Sequence, residues 1–286
     1  MAEIAQGSTS GPLAGPPDRT QGTLAIYRRI LGAQVRSFAS YRASFAIDLT
    51  TNGLVPLTDV AAVVAVFHVT RTLGGFTAFE VLLMFAVSST GFALADLAVG
   101  QIERIRQYVR QGLLDAVLVR PLSVFGQLIT VDFQIRRLAR VVVSFGIYAF
   151  ALSHVDITWS PGRLVLVGLA PVSAAVFFAA VFTASATVAF WWIDSGEFAN
   201  GFTYGGRDFT AYPVNVYSGL FRWLFAYSLG FAFVAYYPAL ALLGHPDPIG
   251  LPGWAVWTSP AVALVAVAVA AGVWRLGVRQ YRSTGS

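Results

Sequence analysis

Residues 164–193 read LVLVGLAPVSAAVFFAAVFTASATVAFWWI, thirty positions without one charge. A helix needs about 20 apolar residues to cross the hydrocarbon core of a bilayer. The run is continuous rather than alternating, which is the pattern of a membrane helix and not of a barrel strand. Trp223–Gly244 and Pro248–Trp274 are also free of charge. The whole chain agrees: 286 residues, 56% hydrophobic, 12% charged, mean hydropathy +0.66. A soluble domain carries about 25% charged residues. The sequence therefore predicts an all-α integral membrane protein.

Three further spans are weaker. Residues 45–69 carry Asp48 and Asp59, with Thr50, Thr51 and Asn52 between them. Residues 77–99 are bounded by Glu80 and Asp96. Residues 134–154 have a short uncharged core after Arg140, with Arg136, Arg137 and Arg140 able to snorkel to one interface. The pattern predicts six transmembrane helices within 44–275, at about 45–69, 77–99, 134–154, 164–193, 217–243 and 254–274. The cytoplasmic connections are then 100–133 and 194–216. Residues 1–20 are rich in Gly, Pro, Ser and Thr and lack an apolar signal region, so a disordered cytoplasmic tail is expected. In 21–43, Tyr27, Ile30, Leu31, Gln34, Val35, Phe38 and Tyr41 share one helical face. That is an amphipathic interfacial helix, with Arg28, Arg29, Arg36 and Arg42 near anionic lipid headgroups; an ordinary cytoplasmic helix is the other reading. Residues 276–286 form a cytoplasmic C-terminal tail.

Arginine placement sets the orientation. All 19 basic residues are arginine. With six spans and both termini on one side, that side holds seventeen arginines and the other only Arg71 and Arg163. The positive-inside rule makes the arginine-rich side cytoplasmic and predicts a multi-pass protein of the cytoplasmic (inner or plasma) membrane. Trp159, Trp254 and Trp257 then fall at the outer interface, where indole rings are favoured.

Composition also excludes chemistry. Without lysine there is no P-loop amine for a nucleotide phosphate and no Schiff base. Without cysteine there is no thiol catalysis, disulfide or Cys-ligated metal. His68, His154 and His245 are far apart and lack HExxH spacing. No GxSxG elbow is present. The sequence predicts no catalytic residues, no metal and no cofactor in this chain. The basic balance, net +5, does not point to nucleic acid, because the arginines flank apolar spans instead of forming a basic domain.

The stretch Gln101–Ser123, QIERIRQYVRQGLLDAVLVRPLS, stands apart. Ile102, Ile105, Val109, Leu113 and Val117 recur at helical spacing, and the charged residues fall mostly off that stripe. A polar amphipathic helix between apolar spans is expected to touch something outside the lipid. In the second connection Tyr212–Pro213 marks a helix boundary. Gly201 and Gly205 form a GxxxG outside any apolar stretch, which says little about helix pairing. Two readings of Asp59 are open. It lies on a substrate or proton pathway, or it sits near a surface because Pro56 starts the helix. Pro238 likewise either only kinks the fifth span or precedes a short helix dipping back from the outer surface.

The ordered set of motifs carries a resemblance. YR precedes the first span and RQYVRQGLLDAVLVRPLS follows the second; FW follows the fourth, AYPVNVY precedes the fifth, AYYPALALLG ends it, and QYRSTGS closes the chain. From about residue 22 onward the chain resembles the permease subunit of an ABC-2 type ATP-binding-cassette exporter with a separate ATPase chain, and hence a type V-like permease fold. The resemblance implies two permeases, the same chain or a sister permease, and two copies of a cytosolic ABC ATPase that binds ATP and Mg. It also implies a coupling helix in the first connection, which falls on Arg106, Tyr108, Arg110, Gln111, Gly112, Leu114, Asp115, Arg120 and Pro121. Glu197, Asn200, Tyr212 and Pro213 are the candidates of the second connection, and Asp59 is the candidate pathway residue. The implied activity is ATP-driven export of a hydrophobic or amphiphilic substrate. Two other classes remain: an ion- or proton-coupled secondary transporter using Asp48, Asp59 and Glu80, and a non-transporting scaffold or sensor. No convincing repeat relates 45–154 to 164–274, as a secondary transporter often shows.

Overall fold

The computed structural model describes residues 42–281, apart from 132–133, 135 and 248–249. The expected N-terminal tail, nearly all of the interfacial helix and residues 282–286 lie outside the described residues. The long helices are α1 (Arg42–Val69), α2 (Ala78–Val99), α6 (Arg137–Ser153), α7 (Pro161–Thr187), α8 (Gly196–Thr210) and α11 (Ser259–Gln280). A 3-10 turn, Gly100–Arg104, leads from α2 into three short helices: α3 (Ile105–Arg110), α4 (Leu113–Leu118) and α5 (Val124–Val131). Between α8 and α11 lie α9 (Gly219–Arg222), a π-helical turn Trp223–Ser228, and α10 (Tyr236–Leu243).

Four helical stretches are long and apolar enough to span a membrane: Thr50–Val69, Ala78–Arg110, Pro161–Phe190 and Ser259–Gln280. A fifth is reached if Gly219–Ser228 and Phe231–Leu243, bent by 61°, count as one span. Where the sequence expects a third span the structure has α6, a helix of 17 residues that is not among those stretches. At 1.5 Å per residue that is about 25 Å, a little short of a hydrocarbon core of about 30 Å.

The long helices pack in a row: α1 on α6, α6 on α2, α2 on α7, and α7 on α11. The middle is the most enclosed. Of its most apolar window, Ala78–Arg110 has 83% buried, against 17% for the end helices α1 and α11. Lipid is as apolar as leucine, so side-chain packing rather than water removal holds such helices together. Phe92 of α2 shows this packing, with ring centroids 5.3 Å from Phe178, 5.2 Å from Phe182 and 5.5 Å from Tyr204. Helix starts follow local chemistry. Thr77 and Glu80 form a capping box on α2, the Thr77 amide donating to Glu80 Oε2 at 2.7 Å. Ser160 caps α7 ahead of Pro161.

Three expectations are corrected. Pro56 does not start a helix; it lies inside the continuous α1, so Asp59 falls midway along Thr50–Val69. Proline is tolerated inside membrane helices. The break near the fifth apolar stretch falls not at Pro238 but before it, at Gly230, where φ is +83°. Pro238 sits in the first turn of α10, where its missing N–H costs nothing.

The third correction concerns 194–216. The sequence places it beyond the end of the spans. In the structure α8 runs along α2 instead. At its start Asp194 pairs with Arg110, past the C-terminal end of α2. At the last residue of α8, Thr210 Oγ1 lies 2.5 Å from the Oγ of Ser88, which is midway along α2. Beyond it, Asn215 Nδ2 donates to the Gly74 carbonyl at 2.6 Å, in the loop before α2. The next apolar segment begins and ends at that same end of the bundle. After it His245 Nε2 lies 3.2 Å from Glu80 Oε1, and Arg163 Nε donates to the Ala241 carbonyl at 2.9 Å.

Candidate coupling surface and polar seam

The connector after α2 is not one helix. Gly112 adopts φ +67°, a left-handed conformation glycine takes without strain, and α3 stops there. The break moves the buried stripe by one residue. Ile102, Ile105, Val109 and Val117 are buried as their spacing predicts, but Leu113 is exposed and Leu114 takes the inner position. Leu114, a candidate contact, is 1% exposed and so anchors the connector from within. Arg110, Gln111, Arg120 and Pro121 are exposed; Arg106, Tyr108, Gly112 and Asp115 are half-buried. Beside them the connector shows three exposed apolar side chains, Leu113, Leu118 and Val119, the last 84% exposed. Gln127 of α5 fixes the turn from below, its buried amide donating to the carbonyls of Val117 and Leu122, each at 3.1 Å.

The connector meets the start of α8. Arg110 pairs with Asp194, both exposed, which makes the pair weak. The Arg106 guanidinium lies against Gly196. A polar pocket of ≈ 460 Å³ opens between them, lined by Arg104, Arg106, Arg110, Arg137, Glu103 and Glu197 among others.

The four candidates of the second connection do not form one surface. Glu197 lines the pocket, Asn200 lies further along α8, Tyr212 is half-buried, and Pro213 is buried near the far end. The helix boundary at Tyr212–Pro213 falls as expected, since α8 ends at Thr210.

Two charged clusters join helices of the bundle. Asp96, 3% exposed, accepts from Arg137 Nη1 at 2.8 Å and from Arg140 Nη1 at 3.0 Å. Arg140 also donates to Asn52 Oδ1 of α1 at 3.3 Å. Arg137 and Arg140 thus turn inward to a carboxylate rather than snorkelling outward. The second cluster is Asp59 of α1 with Arg207 of α8. The Arg207 guanidinium also lies over the Phe92 ring, 5.5 Å from its centroid, and 3.6 Å from Asp208. Sequence reasoning missed Asp96, Arg137, Arg140 and Arg207 as partners. One signal was available: a carboxylate inside a span calls for a cation facing it.

Among the described residues no group of three or more His, Asp or Glu side chains converges as a metal site. Apolar helices in a packed row, joined by a polar connector, define a multi-pass helical membrane protein. Residues 54–285 match the pattern of the ABC-2 family transporter proteins, and the chain belongs to that family. It is therefore a membrane component of an ABC transporter. Nothing matches the chain among curated proteins or among solved structures.

Proposed function

We propose that this chain is the permease subunit of an ATP-driven exporter, coupled to a separate cytosolic ATPase through the connector. The observation that carries this reading is that the connector exposes apolar Leu113, Leu118 and Val119 within ten residues of exposed Arg110, Gln111 and Arg120. An apolar centre with an arginine rim is the usual anatomy of a protein-binding surface. Two ATPases and two permeases, the second either identical or a sister chain, complete the complex. ATP and Mg belong to the ATPases.

The crossings in this reading are α1, α2, α6, α7, α11 and α8 together with the segment that continues from it to Asn215, six in all, with both termini cytoplasmic. The segment from Gly219 to Leu243 enters and leaves on the outer side. The exposed edge of α8 supports this count of its role: Glu197, Gly201, Tyr204, Gly205 and Asp208 follow one another at helical spacing. A carboxylate facing the middle of a bilayer costs roughly 2.5–3.5 kcal/mol. That edge therefore faces the second permease and the water-lined path between the two. ATP binding would move the connector, and with it α8, opening the path alternately inward and outward. The scarcity of charge on the remaining spans suits a hydrophobic or amphiphilic substrate. An ion-coupled mechanism is less well supported, because Asp59 is paired with Arg207 and Glu80 caps α2 and meets His245.

Purification of the tagged chain from its native membrane tests the reading. The expected result is a copurifying polypeptide that hydrolyses ATP, lost when Leu113 and Val119 are both changed to Asp. A permease that comes down without any ATPase activity overturns it.

A further inference from the structure

We propose that Asp59 and Arg207 are positioning residues that carry motion of the connector from α8 to α1. The proposal rests on the transport reading above. α1 packs on α6 and α2, whereas α8 packs on α7 and α2. Between α1 and α8 themselves the packing is thin. Across that seam the Asp59 carboxylate meets the Arg207 guanidinium. Both side chains are largely enclosed, at 33% and 16% exposure, midway along apolar α1. An ion pair there is screened by water and salt less than one on the open surface.

Arg207 is itself held in place. Phe92 of α2 lies under its guanidinium, and Thr210, one turn on, hydrogen-bonds Ser88 of the same helix. The segment leading into α8 packs on α3 at Val188–Phe190, the Arg106 guanidinium lies against Gly196, and the exposed Asp194–Arg110 pair adds a weak link. One helix thus joins the connector at its start to α1 near its middle. A displacement of the connector reaches α1 through the pair, and release of the pair frees α1 from α8.

The chain has no cysteine, so spin labels can be placed by substitution alone. Leu57→Cys on α1 and Phe198→Cys at the start of α8 are exposed and lie off the edge assigned to the second permease. Distances between the labels are measured by pulsed electron spin resonance on the permease in lipid nanodiscs. The expected outcome is one narrow distribution in the parent chain, a broad and longer one in Asp59→Asn, and a return to the narrow one in the charge exchange Asp59→Arg with Arg207→Asp. Stimulation of the copurified ATPase should fall about tenfold in Asp59→Asn, within the range of inter-site couplings, and recover in the exchange. If Asp59→Asn does not assemble, Asp59→Glu and Arg207→Lys take its place, with Asp59→Glu expected to stay narrow and Arg207→Lys to broaden. Identical distributions in all variants, or an exchange that stays as broad as Asp59→Asn, overturn the proposal. The distances are read on the permease alone. Absence of a partner ATPase would therefore defeat the export reading while leaving this one to be decided by the labels.

Discussion

Asp96 and Asp59 are both carboxylates inside apolar helices, and they are held in opposite ways. Asp96 is 3% exposed and gripped by two arginines, on helices that pack closely along their length. Asp59 is a third exposed and meets one arginine across a thin seam. A fully enclosed carboxylate with two cations has one arrangement. A pair that is a third exposed at its carboxylate, between helices that barely touch, is less constrained, and on our proposal it can part. The first fastens α2 to α6 among many packing contacts; the second is the main link between α1 and α8 among the described residues.

Stability measurements on single substitutions can break that contrast. The largest effect is expected for Asp96→Asn, which leaves two guanidinium groups short of their counter-charge. Stranding one side of a buried ion pair costs about 3–5 kcal/mol. The variant should assemble poorly and melt well below the parent chain in detergent. Asp59→Asn should cost less, about 1.5–3 kcal/mol, the range for a hydrogen bond to a charged group, because water reaches part of the site. If it melts below Asp96→Asn, the seam is as rigid as the enclosed cluster and the contrast is lost. The smallest effect is expected for Asp194→Asn. Its pair with Arg110 is exposed on both sides, and such pairs contribute about 0–1 kcal/mol and fade with salt. A salt titration sharpens the comparison: 1 M salt should erase the Asp194 effect and leave the Asp96 effect nearly whole.

The legible parts of the fold were those governed by one local force. Leu164–Ile193 and Pro248–Trp274 read as helices because they are long and uncharged, and α7 and α11 lie there. The end of α8 before Pro213 follows from backbone sterics alone. The course of α8 was not legible. Glu197, Asn200, Arg207 and Asp208 leave it no apolar run, and its place along α2 comes from partners distant in sequence, Ser88, Phe92 and Asp59. The connector was legible as an amphipathic element but not in its phase, because periodicity assumes an unbroken helix. The inner and outer positions after Gly112 follow from one torsion angle that no residue count reveals.

That torsion has a further consequence. In an unbroken helix each residue turns the next by about 100°, so residue 113 would point inward and 114 outward. Gly112 reverses the two and works as a phase shifter for the surface offered to a partner. A replacement at this position that straightened the connector would not erase the apolar tip but rotate a different leucine onto it. The chain would then present an altered footprint built from the same residues, and a partner's fit would change without any contacting side chain having been substituted.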